Sequence, residues 1–503
     1  MDALAAAPAF TFPVWVRATH VLNIIFISLL MRSGLQILSS LPKLYWNEDC
    51  TPGKEWLRLT RKQMPADRLW ISLDEEEEFP ALIALPGGRR LGLGRHWHFA
   101  TALAWVLTGA AYVVLLFVTP EWRTLVPTSW SVFPGAWHAF LTYVSLHLPA
   151  PPQGQIYNPL QQLTYFAIVF LVAPLTIATG AAMSPALIGR FPRYVRMFGG
   201  KQGARSIHFL CLLVFVAFTV VHTAMVVAHG LPRELASILL GSDRESHGLA
   251  VALAIVALAV IFFIHVVATV VSRRAPRTTQ HALGAVVDPL QRGLSRMLVS
   301  RQHYADSDRS PFFRVNGYPP RDGDYRRLAM GGFRNWRLTV SGLVAEPLDL
   351  SLDELRHMEW QEQVTKHNCI QGWTAIASWA GVPVSVLMAR CRPLPSARYA
   401  VFYAFDDKAQ TATEGEPHEG QFYEAIDLQL ARHPQTILAY EMNGQPLRVE
   451  HGAPLRLRIE VQLGFKMVKW IRAIELVEDY SLIGKGQGGW REDYVYYSQA
   501  VAI

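Results

Sequence analysis

Five runs of apolar residues dominate the first half of the chain: Val14–Leu38, Phe99–Val118, Leu163–Met183, Ile207–Val227 and Leu249–Val271. A bilayer core of about 30 Å needs roughly 20 helical residues, so each run predicts a membrane-spanning helix. A shorter aromatic stretch, Trp130–Leu148, is interrupted by Pro134 and predicts an interfacial segment. The stretch Pro42–Arg95 is long and polar, and its run Glu75–Glu78 reads as a solvated face with no chemistry. After Val271 the pattern changes. Ser272-Arg-Arg-Ala-Pro276 closes the last apolar run, and the residues to Ser310 read as a polar, partly helical linker. From Pro311 onward, short β-rich runs such as Trp336–Gly342 and Leu455–Val461 are broken by Gly and Pro, with helical stretches between them, as at Leu352–Met358. The expected architecture is multi-domain: an all-α transmembrane bundle of about five spans over 1–275, a linker over 276–310 and an α+β domain over 311–503. No internal repeat is visible.

Composition agrees with a membrane part joined to a globular part: 503 residues, 51% hydrophobic yet 17% charged. The net charge of +7 is modest. Its basic residues cluster beside the apolar runs, which points to membrane topology and lipid contact and argues against nucleic-acid binding. Arg190, Arg193, Arg196, Lys201 and Arg205 in the third loop, with the tail after the fifth span, place the N-terminus outside and the C-terminal domain in the cytoplasm. Met1 to Pro13 shows no basic n-region, twin arginine or cleavage pattern, so no removable signal is expected. The expected location is the inner (cytoplasmic) membrane of a bacterium, as a multi-pass protein. Cys50, Cys211, Cys369 and Cys391 have no CxxC spacing and suggest no disulfide framework.

Two sets of residues carry candidate chemistry. His208 and His222 lie fourteen residues apart in one predicted span. That separation returns to within about 40° of the same helix face after a rise of about 21 Å. His20 in the first span and His98 at the start of the second complete two pairs by depth: antiparallel threading sets His98 level with His208 and His20 level with His222. Two haems, each with two axial imidazoles, would fit such a ladder. Intramembrane histidines also serve as interhelical glue, and His96, His229 and His265 compete for the assignment. The second set surrounds Cys369, in Thr365-Lys-His-Asn-Cys369-Ile-Gln-Gly-Trp373, followed by Trp379-Ala-Gly-Val-Pro383. Taken alone, a single cysteine reads as a small buried hydrophobe.

These motifs carry two resemblances. Arg17-Ala-Thr-His20, His96-Trp-His98-Phe99 and Ser206-Ile-His208…His222 resemble the dihaem cytochrome b subunits of hydrogenases and formate dehydrogenases. The Cys369 loop is followed by Leu438-Ala-Tyr-Glu-Met-Asn-Gly-Gln-Pro-Leu447, His451-Gly-Ala-Pro-Leu-Arg456 and Gly464-Phe-Lys-Met-Val-Lys469. This ordered set resembles the sulfite oxidase fold family. The resemblance implies that Cys369 is the catalytic centre and ligates molybdenum. It implies that His451, Arg456, Met467, Val468 and Lys469 contact the molybdopterin, as does Asn316 in Phe313-Arg-Val-Asn-Gly317. Chemically, a soft thiolate suits an oxo-metal held by a dithiolene, and Arg and Lys suit a phosphate. Two departures stand out. The strand after Arg456 reads Leu-Arg-Ile-Glu-Val where relatives are apolar, and no cluster of sulfite-binding arginines is visible.

The expected function is a membrane-bound molybdenum-dependent oxidoreductase. It would couple two-electron oxygen-atom transfer to the quinone pool through two b haems and act on a small oxyanion or an S- or N-oxide. The alternatives are a quinol-driven reductase of sulfoxides or similar compounds, and a non-catalytic redox module. A homodimer is left open.

Overall fold

The computed structural model describes residues 11–65, 67–149, 156–297 and 302–499. Among them are five helices long and apolar enough to cross a membrane: α1 (Val14–Leu38), α2 (Leu91–Val118), α3 (Pro159–Ala182), α4 (Gly200–Ala228) and α5 (His247–Arg274). The third begins at a capping box. The Asn158 side chain accepts from the Gln161 N–H, the Gln161 side chain accepts from the Asn158 N–H, and Pro159 fills the first helical position. Outward positions carry the apolar residues, as in a helix facing lipid: Leu258, Phe262 and Phe263 are each at least 65% exposed. The aromatic stretch after α2 is a helix over Val132–Val144.

Contacts divide the chain into two compact units. One comprises the residues to Arg32, Trp97–Ala181 and Ile207–Val271. The other comprises Ser33–His96, Ala182–Ser206 and the chain from Ser272 onward. This division is not the linear one suggested by hydropathy, because the long first loop and the segment before α4 pack with the C-terminal region. For the same reason α2 and α4 start earlier than the apolar runs: their first turns are polar and belong to the second unit. The linker region contains a 22-residue helix over Pro276–Met297.

Besides a two-stranded ladder of Lys43–Leu44 with Leu57–Arg58, the second unit holds two five-stranded sheets. Its strands are β1 (Arg337–Gly342), β2 (Leu348–Ser351), β3 (Gln361–Asn368), β4 (Thr374–Pro383), β5 (Tyr399–Asp407), β6 (Gln421–Asp427), β7 (Thr436–Met442), β8 (Gln445–Pro446), β9 (Arg456–Ile459) and β10 (Ile471–Val477). One sheet runs β8-β7-β4-β3, with β9 also paired to β7; the other runs β2-β1-β10-β5-β6. Among the described strands, only β1 and β10 pair in parallel. Leu338, Val340, Phe402 and Ile474 from the second sheet share one core with Val382, Leu438 and Leu457 from the first. Alternation places these residues on the inner faces. Strand β4, flanked by β3 and β7, is buried at every position, as expected of a central strand covered on both faces.

The first loop departs most from expectation. Glu75 is 1% exposed, and Glu76 is also buried, whereas Glu78 faces solvent. Glu75 pairs with Lys43 at 3.0 Å and with Arg314 at 2.7 Å. Arg314 also donates to Tyr45 Oη at 3.1 Å and to the Cys50 carbonyl. Burial raises the Glu75 carboxyl, but Arg314 and Lys43 overcome it and hold the group below the usual range. Four consecutive glutamates have no periodicity to reveal a buried member, and the cation that permits burial lies far along the chain. Removing one partner of a buried pair typically costs about 3–5 kcal/mol. Glu75→Ala is therefore expected to destabilise the second unit by about that amount in denaturant titrations followed by tryptophan fluorescence. Because the folded pKa is depressed, this stabilisation is present above the unfolded pKa and is lost as pH falls through the folded one.

Candidate functional sites

Strands β3 and β4 form a hairpin whose last paired residues are Asn368 and Thr374. Cys369 opens the five-residue connection. Its N–H bonds to the Trp373 carbonyl at 3.0 Å and its carbonyl accepts from Gly372 at 3.1 Å. Gly372 takes φ +118°, a conformation open to glycine but strained for other residues. The loop is braced from outside the hairpin. Gln202 donates to the Gly372 carbonyl at 2.9 Å and to Thr374 Oγ1 at 3.1 Å, and Lys201 reaches Asn368 at 3.4 Å. Lys201 and Arg205, expected as loop charges, are thus structural: Arg205 donates to the Lys43 carbonyl at 2.6 Å and also to that of Leu41.

Cys369 lines a cavity together with Asn316, Met467 and Lys469. Ser72 from the first loop lines it too and donates to Asn316 Oδ1. Burial pushes the Cys369 thiol up to about 11, despite lowering by a Gln371 hydrogen bond and by Lys201. The free side chain is therefore a thiol, and ligating a metal requires loss of its proton.

His451 and Arg456 are not among the residues that line this cavity; Arg456 donates to the His451 carbonyl at 2.9 Å, and its charge acts on the lining residue Lys469. Val468 sits within the hydrophobic core, its N–H bonded to the Lys466 carbonyl and its carbonyl to the Leu457 N–H. Cations crowd the region. Burial, then Arg456 and Lys469, lower His451 to about 3. Burial and Arg458 depress Arg456, and burial and Arg456 depress Lys469.

The unusual charged strand β9 explains itself here. Arg458 lies in β9, and Glu460 lies in the turn that follows it. Both side chains are fully buried and joined by two bonds, at 3.0 and 2.7 Å. Arg458 also donates to His367 Nδ1 at 3.0 Å. An arginine cannot accept, so the neutral His367 ring carries its proton on Nε2. His367 Nε2, Arg456 Nε and the indole nitrogens of Trp373 and Trp379 are buried without a hydrogen-bond partner among the described residues. Buried donors amid excess positive charge fit an anionic, hydrogen-bonding group such as a pterin phosphate.

The other site lies in the first unit. His20 faces His222, and His98 faces His208, with ring centroids 6.3 Å apart in both pairs. Two imidazoles binding one metal from opposite sides need roughly 6 Å between ring centres, from about 2 Å per metal–nitrogen bond. His208 Nδ1 lies 3.1 Å from the Thr176 carbonyl, which can only accept, so its proton is on Nδ1 and Nε2 is the nitrogen able to bind a metal. No group of three or more His, Cys, Asp or Glu suited to an ion occurs among the described residues. Two imidazoles alone leave a bare ion short of ligands, but they suffice for an iron held in the plane of a macrocycle. Of the competing histidines, His265 has both ring nitrogens engaged, by Arg32 and Ser28 at 2.8 and 2.9 Å, whereas His96 and His229 use Nδ1 on the carbonyls of Gly92 and Met225 at 2.8 and 2.9 Å.

Comparison with known proteins agrees with both geometries. Residues 11–241 match the family described as prokaryotic cytochrome b561, and residues 328–482 match the oxidoreductase molybdopterin binding domain. The chain therefore carries a cytochrome b domain followed by a molybdopterin-binding oxidoreductase domain of the sulfite oxidase type. Among curated proteins it is 35% identical to the protein-methionine-sulfoxide reductase subunit YedZ1 of Azospira oryzae, over 35% of this chain and 58% of that protein. It is 34% identical to the catalytic subunit of protein-methionine-sulfoxide reductase, MsrP, of Xanthomonas campestris, over 28% of this chain and 45% of that one. The chain spans about half the length of the curated relatives it matches. A structure of the sulfane dehydrogenase SoxCD from Paracoccus pantotrophus is 21% identical over 31% of this chain and 45% of its own, with a TM-score of 0.25, too low to carry an argument.

Several residues at the cavity escaped the sequence reading. His367 lies inside the quoted cysteine motif and Arg458 in the strand noted as a departure, but neither was given a role there. Gln371, two residues beyond the cysteine, could have been flagged by proximity; Arg491, which also lines the cavity, had no local signal. A Cβ added to Gly464 would lie 2.2 Å from His367 Nε2. Gly464→Ala is expected to cost about 1–3 kcal/mol through overpacking and to lower the molybdenum content of purified protein, measured by elemental analysis.

Proposed function

We propose that this protein reduces sulfoxides, methionine sulfoxide among them, at a molybdenum site and draws the electrons from quinol through two b haems. The observation that carries the reading is Cys369: a thiol on a braced hairpin loop, lining a cavity whose neighbouring cations are in excess. The similarity to methionine-sulfoxide reductase proteins supports the direction of the reaction. In this reading Cys369 ligates molybdenum, while Asn316, His451, Arg456, Met467, Val468 and Lys469 surround the pterin, Val468 through its packing. His20 with His222, and His98 with His208, ligate the haem irons.

Bound there, molybdopterin supplies oxygen-atom transfer coupled to a two-electron change, and the haems supply single-electron steps. The chain's own contribution is positioning. Gln202 and the Cys369–Trp373 hydrogen bond fix the thiol. His367 and Arg456 offer donors to an anion. Aromatic Phe422, Phe465 and Trp470 give the cavity apolar surface for a thioether. Positive-inside bias supports a cytoplasmic face for this domain, which a one-sided reporter fused to the C-terminus checks.

In membranes with quinol-reduced haems, methionine sulfoxide is expected to reoxidise the haem absorbance. Cys369→Ser should abolish reoxidation while leaving the haem spectrum intact. Haem reduction by an oxidisable substrate, without reoxidation by any sulfoxide, would instead support electron flow toward quinone. Unchanged turnover in Cys369→Ser would point to a non-catalytic domain. His222→Ala is expected to lose about half of the haem per protein in the pyridine haemochrome assay, because each iron depends on one histidine pair.

A further inference from the structure

We propose that Trp105, pinned by Asn23 and packed on Phe215, couples the two haem levels of the membrane unit: it fills the space between them and sets how fast an electron crosses. The inference rests on the reading of His20 with His222, and His98 with His208, as two pairs of iron ligands. Each transfer moves one electron from a ferrous to a ferric iron, with no proton taken up or released. What the chain controls is the medium between the levels. Electrons tunnel faster through bonded, close-packed atoms than across a void, so the side chains midway between the levels matter most.

Helical geometry identifies them. Phe215 lies seven residues after His208 and seven before His222 on α4. Seven residues turn a helix back to within about 20° of the same face after a rise of about 10 Å, so Phe215 stands midway on the face that carries both histidines. Trp105 lies seven residues after His98 on α2, and the same geometry puts it on the histidine face at the same height. The two rings meet there edge to face, with centroids 6.1 Å apart and planes at 86°. Phe215 is buried.

The remaining ligand-bearing helix supplies the pin. Asn23, three residues beyond His20 on α1, accepts from the Trp105 Nε1–H at 2.9 Å. The partition thus takes one residue from each helix that carries a ligand, and all three belong to the first unit. Toward His222 the aromatic contact continues through Phe218, whose ring stacks on the imidazole at 5.4 Å with planes at 13°. Polar groups are costly in the middle of a membrane, and an aliphatic side chain would fill the same space without needing a partner. The Trp105–Asn23 bond adds something packing alone does not: a fixed orientation of the indole between the levels. Interhelical hydrogen bonds also serve as glue, which is the role the experiment must separate. Because it neither gains nor keeps the electron, Trp105 is a positioning residue.

The test uses full-length protein in detergent. A laser flash on deazaflavin delivers less than one electron per protein, and absorbance follows its passage between the haems, whose separate spectra come from His222→Ala. Haem content and midpoint potentials are measured alongside, by pyridine haemochrome and redox titration. In wild type the electron should reach the distribution set by the two potentials in one rapid phase. Trp105→Ala should lose that phase and show a slow one at unchanged haem content and potentials. Trp105→Phe, which keeps a ring, should retain the rapid phase, and Asn23→Leu, which frees the indole, should slow it. A residue that only glues helices would lower haem content or thermal stability and leave the transfer alone. Trp105→Ala with two haems and wild-type kinetics therefore overturns the proposal. If Trp105→Ala loses haem, Trp105→Leu and Trp105→Phe decide: slowing in Trp105→Leu supports the coupling role, and wild-type kinetics in both sink it. Wild type with fewer than two haems per chain refutes the ligand reading and the inference with it.

Discussion

A buried carboxylate needs a partner, and in this protein Glu75 has two. Lys43 and Arg314 meet it from segments far apart in the chain, in surroundings almost without solvent. An unpaired charge there would cost several kcal/mol, so the first loop, the strand-like segment at Val315 and the ladder at Lys43 are held to one arrangement. Ile71 bridges to Val315, and Ser72 bonds to its carbonyl at 2.8 Å. Part of the wall of the cysteine cavity follows from that anchor, because Ser72 and Leu73, which line it, lie just before the anchored residue. A loop between two membrane helices is in this way part of a globular domain.

Charge is distributed unevenly around the cavity. On the side of β9, Arg456, Arg458, Lys469, His367 and His451 gather around Glu460, which pairs with Arg458, while Asp406 and Glu450 act on Lys469, and buried donors there have no partner among the described residues. On the side of the first loop, carboxylates outnumber the arginine between them. A low dielectric magnifies both imbalances. The first suits an anionic cofactor; in the second, Arg491 and Lys408 hold Glu416 below the usual carboxyl range while burial raises Glu76 above it. The membrane unit is arranged differently: two imidazoles face each other at each level, and no group of three or more metal-ligating side chains occurs among the described residues, which suits an iron whose remaining nitrogens come from a macrocycle.

Much of this was legible from residue order. Apolar runs long enough to cross a bilayer need no tertiary information, because lipid imposes the same requirement on each helix separately. The histidine ladder was legible for a related reason. Helical geometry fixes the rise between His208 and His222, and antiparallel threading then pairs each with a partner. The cysteine loop and the His451, Arg456 and Lys469 motifs are local stretches, readable as ordered strings.

The tertiary structure alone decided which polar residues are buried and with whom. Glu76 and Gln371 are 295 positions apart, yet share a hydrogen bond. Arg458 looked like a defect in an apolar strand until Glu460, His367 and Trp379 were seen around it. Sequence determines propensity and pattern, which are properties of neighbours along the chain. The ionisation of a carboxylate depends on charges and solvent within a few ångströms, and only the folded chain brings those together.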